Sequence, residues 1–271
     1  MKPSRFLNGS TRLLRRSKAL PLLAVFAASC AVAQPLSDGE RVFIGGNVFG
    51  AQAPEDSRAI QTFGDDLIRF AVAPGEQWAR DNRKGSNAER AELSSHDKVR
   101  FGEETSVSFA VRIEEMDSSP GRKHALLIQL HGPNRTEMPG VEGFAPPPFD
   151  MRVRRGQIHF VVRSGALDRG EDGDRVIATV PLEYGSWSRY RFDVGLGDET
   201  SGYVDIWKDG VQLAAYEGPV GYDVGGGRHY WKFGIYQFGR RNTPSVVDFG
   251  QVNLNSRGYL LQHEKDVVSS K

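Results

Sequence analysis

Residues 125–132 read ALLIQLHG, and the fold class turns on that run. Taken as a strand, it shows alternate side chains to opposite faces. Leu126, Ile128 and Leu130 then share one face, and Leu127, Gln129 and His131 share the other. An amide and an imidazole two positions apart, on one side of an otherwise core-like strand, need something polar to face. The rest of the chain repeats the strand pattern. TSVSFAVRIEEM (105–116) alternates, and FDMRVRRGQIHFVVRSG (149–165) is a hairpin turning at Arg155-Gly156. RVIATVPL (175–182) and WSRYRFDVGLG (187–197) follow. GYVDIWKDGVQLAAYEG (202–218) turns at Lys208-Asp209-Gly210. HYWKFGIYQFG (229–239) and SVVDFGQVNL (245–254) close the series. Runs of this length between Gly, Asp, Asn and Pro turns predict an all-β fold, an antiparallel β-sandwich or jelly roll. A short helix is expected near EDSRAIQTFGDDL (55–67). No internal repeat is found.

The chain has 271 residues, a size that one β domain can fill. Its first 18 residues hold Lys2, Arg5, Arg12, Arg15, Arg16 and Lys18 and no acid, and ALPLLAVFAA and then CAVAQP follow. This reads as a secretory signal, residues 1–33, cut near Ala33. The apolar run is too short for a permanent span, so no stable membrane insertion is expected. A twin-arginine signal at Arg15-Arg16 fits poorly. A lipid-modified Cys30 is the lesser alternative, because Ala27 stands where a larger aliphatic is usual. A secreted or periplasmic protein follows. Residues 34–60 are expected as an extended lead-in, 61–257 as the β domain and 258–271 as a C-terminal tail. Cleavage removes the sole cysteine, so stability must come from the core. It also removes six bases from a chain with 35 basic and 34 acidic residues, which leaves the remainder near −5. That balance argues against nucleic-acid binding. A monomer is expected.

Two insertions interrupt the strands. GPNRTEMPGVEGFAPPPF (132–149) is a loop, since its prolines and glycines cannot continue a strand. LDRGEDGDR (167–175) is acidic and offers Asp168, Glu171, Asp172 and Asp174 as oxygen ligands for a structural calcium. A solvated hairpin tip is the plainer reading. No metal or other cofactor is expected to be required.

Three stretches carry polar pairs with period two. They are Arg90 and Glu92 in NAERAELSS (87–95), Gln129 and His131, and Lys232 with Tyr236 in YWKFGIYQ (230–237). On the last strand Tyr230, Lys232, Gly234 and Tyr236 are expected on one face, and Trp231, Phe233, Ile235 and Gln237 on the other. Singly, each pair reads as surface or packing; an exposed Arg–Glu pair, for example, contributes little. Jointly, three neighbouring strands with polar groups on one side would give a sheet a ligand face.

These blocks resemble, in order, those of the alginate-lyase-type polysaccharide lyases: RAEL (90–93), QLH (129–131) and YWKFGIYQ. ERAEL (89–93) and KFGIY (232–236) also resemble the heparin-lyase-I-like and glucuronan-lyase group. The resemblance runs from Asn87 to Leu254. The chain departs from the alginate pattern at Ala91, Leu130, Trp231, Phe233 and Gln237-Phe238, which bears on substrate more than on reaction. The resemblance implies a concanavalin-A-like jelly roll that cleaves an anionic uronate polymer (alginate, glucuronan or a relative) by β-elimination. It implies Arg90, Gln129, His131 and Tyr236 as the catalytic group. The C5 proton must leave next to a carboxylate, so the carboxylate needs neutralising donors, for which Arg90 and Gln129 are suited. Neutral His131 suits the base and Tyr236 the acid, although Tyr236 alone could do both where H5 and O4 lie on the same side of the ring, as in glucuronate or mannuronate. Lys232 is expected to steer the anionic chain or to lower the Tyr236 pKa, Glu92 to orient Arg90, and Asn134 to contact substrate. A jelly-roll glycoside hydrolase would need two carboxylates across the scissile bond, and the Glu-x-Asp-x-x-Glu strand motif is absent. A lectin-like module would have no reason to keep Gln129, His131 and Tyr236 together. Ultraviolet absorbance of an unsaturated product separates a lyase from both.

Overall fold

The structure, a computed structural model, describes residues 32–55, 58–83, 85–117, 124–133, 146–165, 173–224, 227–238 and 241–254. The leader up to residue 31, including Cys30, lies outside these residues, as do Asn134, Asp168, Glu171, Asp172 and the tail. In chain order the strands are β1 (Gln34–Pro35), β2 (Arg41–Ile44), β3 (Asn47–Gln52), β4 (Ile60–Phe63) and β5 (Leu67–Val72). After the helix α1 (Ala79–Arg83) come β6 (Ala88–Ser95), β7 (Val99–Arg100), β8 (Glu104–Glu115), β9 (Ala125–His131), β10 (Phe149–Arg154) and β11 (Gln157–Val162). The last six are β12 (Arg175–Pro181), β13 (Trp187–Gly195), β14 (Tyr203–Lys208), β15 (Val211–Glu217), β16 (Arg228–Phe238) and β17 (Ser245–Leu254).

They form two antiparallel sheets packed as a sandwich. One runs β1-β4-β5-β17-β8-β13-β14-β15, and the other β12-β11-β10-β9-β16-β6-β3-β2, with β7 added to β16. The core lies between them. Phe233 of the second sheet meets Phe70 and Phe249 of the first in edge-on or tilted ring contacts with centroids 5.8 and 5.3 Å apart, and Phe49 packs edge-on against Phe233 at 5.2 Å, a packing the aromatic quadrupole favours. The two hairpins read from sequence turn through left-handed residues, at Arg155 (φ 53°) and Gly156 (72°) and at Asp209 (52°) and Gly210 (82°). This two-residue geometry matches the strand twist. No helix among the described residues is long and apolar enough to cross a membrane.

Three expectations change. Residues 34–60 are integral to the sandwich: β1 pairs with β4, and β2 and β3 form the far edge of the second sheet. The glycines that suggest an open lead-in instead sit in and beside a hairpin, at Gly45-Gly46, while Phe49 and Ala51 are core residues. Where the helix is expected near 55–67, residues 60–67 belong instead to a strand hairpin. There Ile60 pairs with Phe70, and Ile68, Phe70 and Val72 are buried at period two. Third, β9 does not alternate throughout. Its pairings skip a position against both neighbours, Ile128 lying opposite Met151 and Phe233 while Leu126 lies opposite Arg152 and Tyr236. A bulge of this kind reverses which side chains face inward. Leu127 therefore joins the core, and Leu126 lies level with Tyr236 and Arg152. Gln129 and His131 precede no such break on the polar side.

The matching irregularity on β16 is Gly234, with φ 133°. A Cβ there would stand 2.3 Å from the Ala91 carbonyl oxygen and 2.9 Å from the Phe70 ring. Gly234→Ala must therefore move backbone as well as adopt an unfavourable φ. We expect a loss of about 3 kcal/mol and a Tm lower by roughly 6–12 °C in a thermal melt. An unchanged Tm would show that the bulge relaxes freely.

Candidate active site

The second sheet's outer face takes its polar groups from five adjacent strands. On β6, Ala91 and Leu93 enter the core, so Arg90, Glu92 and Ser94 point outward. On β16, Trp231, Phe233 and Ile235 enter the core, which leaves Tyr230, Lys232 and Tyr236 outside. Register brings these together: Lys232 lies between Gln129 and Ser94, Tyr236 opposite Arg90, Gly234 opposite Glu92, and Gln52 of β3 beside Glu92.

Glu92 is the hub. Its Oε1 accepts a short hydrogen bond from the Gln129 amide, while its Oε2 lies 3.3 Å from Arg90 Nη1 and 3.4 Å from Lys232 Nζ. Gln52 Oε1 accepts from Lys232 Nζ at 2.7 Å and from Arg90 Nη1 at 3.1 Å. Asp81, on α1, holds Arg90 Nε at 2.9 Å. Two cations and two carboxylates thus balance within a nearly closed cluster in which Arg90, Glu92, Gln129 and Lys232 are all under 10 % exposed. Buried charges persist only when paired in this way. Burial depresses the Lys232 ammonium to about 8, with Glu92 opposing. For Arg90, burial works downward, but Glu92, Tyr236 and Asp81 hold the guanidinium above its ordinary value.

Tyr236 leans on this cluster. The Arg90 guanidinium carbon sits 3.9 Å from its ring centre and 5.2 Å from that of Trp78. Burial raises the phenol pKa in spite of the Arg90 charge, so the group is protonated and can donate. His131 sits on the neighbouring strand β9, paired with Tyr230 of β16 and stacked on its ring at 4.8 Å. The Lys98 ammonium lies 3.4 Å from the centre of that same ring. His131 Nδ1 is 2.6 Å from the Gly132 carbonyl. A carbonyl only accepts, so Nδ1 carries the hydrogen and the neutral ring has its lone pair at Nε2. Burial, followed by the Lys232 charge, pushes the imidazole pKa well below its usual 6.5, against the pull of the Gly132 carbonyl. The side chain is therefore a neutral proton acceptor at neutral pH.

The structure thus joins Arg90, Glu92, Gln129 and Lys232 directly, attaches Tyr236 through Arg90, and mounts His131 separately on Tyr230. Lys232 is 2 % exposed and bonded inward, so its charge acts on its neighbours rather than as an exposed steering cation. Glu92 holds Gln129 and Lys232 as well as Arg90. Gln52, Asp81, Trp78 and Lys98 are additions that sequence reading missed; none belongs to the three blocks, and Gln52 falls in the presumed lead-in. Of the calcium candidates, Asp174 is described. Its carboxylate is engaged by Arg152 Nη1 at 2.7 Å and by Arg163, and Asp150 bonds the same two arginines at 2.6 Å. Asp150 lies opposite Gln129, so this second ionic cluster braces the strand that carries the amide and imidazole.

A model of the family described as polysaccharide lyase matches residues 45–248. No curated protein sequence matches the chain. Among solved structures, the chain is similar to an endo-β-1,4-glucuronan lyase from the fungus Trichoderma reesei, with TM-score 0.55, 15 % identity, and 84 % of this chain and 92 % of that one covered. It is also similar to a family 7 alginate lyase variant in complex with substrate (TM-score 0.52, 16 % identity, covering 73 % and 81 %). An alginate lyase from Pseudomonas aeruginosa gives TM-score 0.51 at 19 % identity, covering 73 % and 86 %. At these identities the likeness is one of fold, and it is the same β-sandwich jelly roll.

Proposed function

The chain belongs to the polysaccharide lyase family, and from that premise we propose that it is an exported enzyme that cleaves a uronate polymer by β-elimination. The observation that carries this reading is the charge-balanced cluster of Arg90, Glu92, Gln129 and Lys232, flanked on one sheet face by a protonated phenol and a neutral imidazole. Arg90 and Gln129 are fixed before substrate arrives, so the donors facing the uronate carboxylate need little reorganisation as charge builds there. His131 Nε2 takes the C5 proton. The C5–H electrons form the C4–C5 double bond, the C4–O4 bond breaks, and O4 takes the Tyr236 proton. A phenolate and an imidazolium remain, and proton exchange with solvent resets them. Two separately mounted groups suit substrates in which H5 and O4 lie on opposite sides of the ring, as in guluronate or iduronate. The glucuronan and alginate lyases among the similar folds support a polyanionic uronate substrate, without choosing between the two geometries.

The test is a panel of alginate, glucuronan, heparin-type glycans and bacterial exopolysaccharide, followed by ultraviolet absorbance and by reducing-end release. Absorbance and reducing ends should rise together with at least one polymer. Reducing ends without absorbance would indicate hydrolysis, and binding without either would indicate a lectin. Both results defeat the proposal.

A further inference from the structure

The edge strand β2 carries a feature that the cluster does not use. Val42 packs against the core and Ile44 is 4 % exposed, so Phe43 between them projects from the outer face, where it is 69 % exposed. A single exposed apolar residue is ordinary, but this one has a particular place in the register. Phe43 lies opposite Val48. The His96 amide donates to the Val48 carbonyl at 3.0 Å, continuing the β3–β6 pairing one step past Phe49 and Ser95. Beyond His96, β7 pairs Val99 with His229, which brings Lys98 level with Tyr230, and Tyr230 lies opposite His131. Phe43, Val48 and His96 therefore form one row at the sheet edge, and Lys98, Tyr230 and His131 form the next, which ends at the candidate base.

Cations border these rows. Lys98 lies over Tyr230 at 3.4 Å. Arg41 is exposed and opposite Gly50, where an added Cβ would meet only the His96 imidazole, at 3.5 Å. The floor beside the row is thus bare backbone with a basic side chain at its rim. Four strand intervals of about 4.8 Å separate β2 from β9, room for several sugar residues.

We propose that the row from Phe43 to His96, continued by Lys98, binds the distal residues of the uronate chain: a ring face stacks on Phe43, while Arg41, His96 and Lys98 take carboxylates. This deepens, and rests on, the reading of the face as a uronate-polymer site. Phe43→Ala and Arg41→Ala are measured in two ways: steady-state kinetics on polymer and on a trisaccharide, and retardation in native gels cast with alginate or with glucuronan. For Phe43→Ala, KM on polymer should rise about fivefold with kcat within twofold, the trisaccharide kinetics should not change, and gel retardation should weaken. Arg41→Ala should flatten the salt dependence of KM, because screening then has less to act on. Unchanged polymer KM and unchanged retardation in Phe43→Ala overturn the row. A wild-type protein that is retarded but yields no unsaturated product, with retardation lost in Phe43→Ala, would defeat the lyase mechanism and leave the binding row standing.

Discussion

Tyr236→Phe is expected to lower kcat by about two to four orders of magnitude, the scale of a positioned acid or base, while leaving KM within a few-fold. The ring makes the structural contacts. It carries the Arg90 guanidinium at 3.9 Å and packs on Phe238 at 4.6 Å, and phenylalanine keeps both. Only the hydroxyl is lost. That hydroxyl, kept protonated by its raised pKa, also accepts from Arg90; the substitution therefore removes the donor to O4 and one bond to a guanidinium that Asp81 and Glu92 still hold, and the loss is expected mainly in the transition state. Single-turnover kinetics on a cleaved polymer, with a thermal melt to confirm folding, measure the effect. A folded variant with near wild-type turnover would take Tyr236 out of the mechanism.

His131→Ala should cost nearly as much, about 10²–10⁴-fold in kcat, and should change the pH profile as well. The active form is the neutral imidazole. Its pKa is depressed by burial and by Lys232, so wild-type kcat/KM should hold as pH falls through 6.5 and decline only well below it, as the ring takes a proton. That acid limb should vanish in His131→Ala, and added imidazole should restore part of the rate. If the variant stays within tenfold of wild type and keeps its acid limb, Tyr236 serves as both base and acid, and the substrate has H5 and O4 on the same side, as in glucuronate or mannuronate.

Alternation and turn chemistry are local properties, and the chain spells them out. Arg155-Gly156 and Asp209-Gly210 turn where their left-handed conformations require. Trp231, Phe233 and Ile235 point inward because they alternate with Lys232 and Tyr236. Arg90 and Glu92, Gln129 and His131, and Lys232 and Tyr236 could be read as polar pairs from their spacing alone. What spacing cannot contain is which strand lies beside which. Strand β16 inserts between β9 and β6, and only that non-local pairing lets Gln129 reach Glu92 and sets Tyr236 against Arg90. The same pairing turns Lys232 from an apparent surface cation into a buried partner of Gln52 and Glu92. The bulge opposite Gly234 is also a tertiary result: it reverses Leu126 and Leu127 because two neighbouring strands, not β9 itself, set the register. The chain determined by itself which side chains stand on a polar face. The packing of distant strands decided which of them touch, because a hydrogen-bonded ladder fixes its neighbours only when the whole sheet closes.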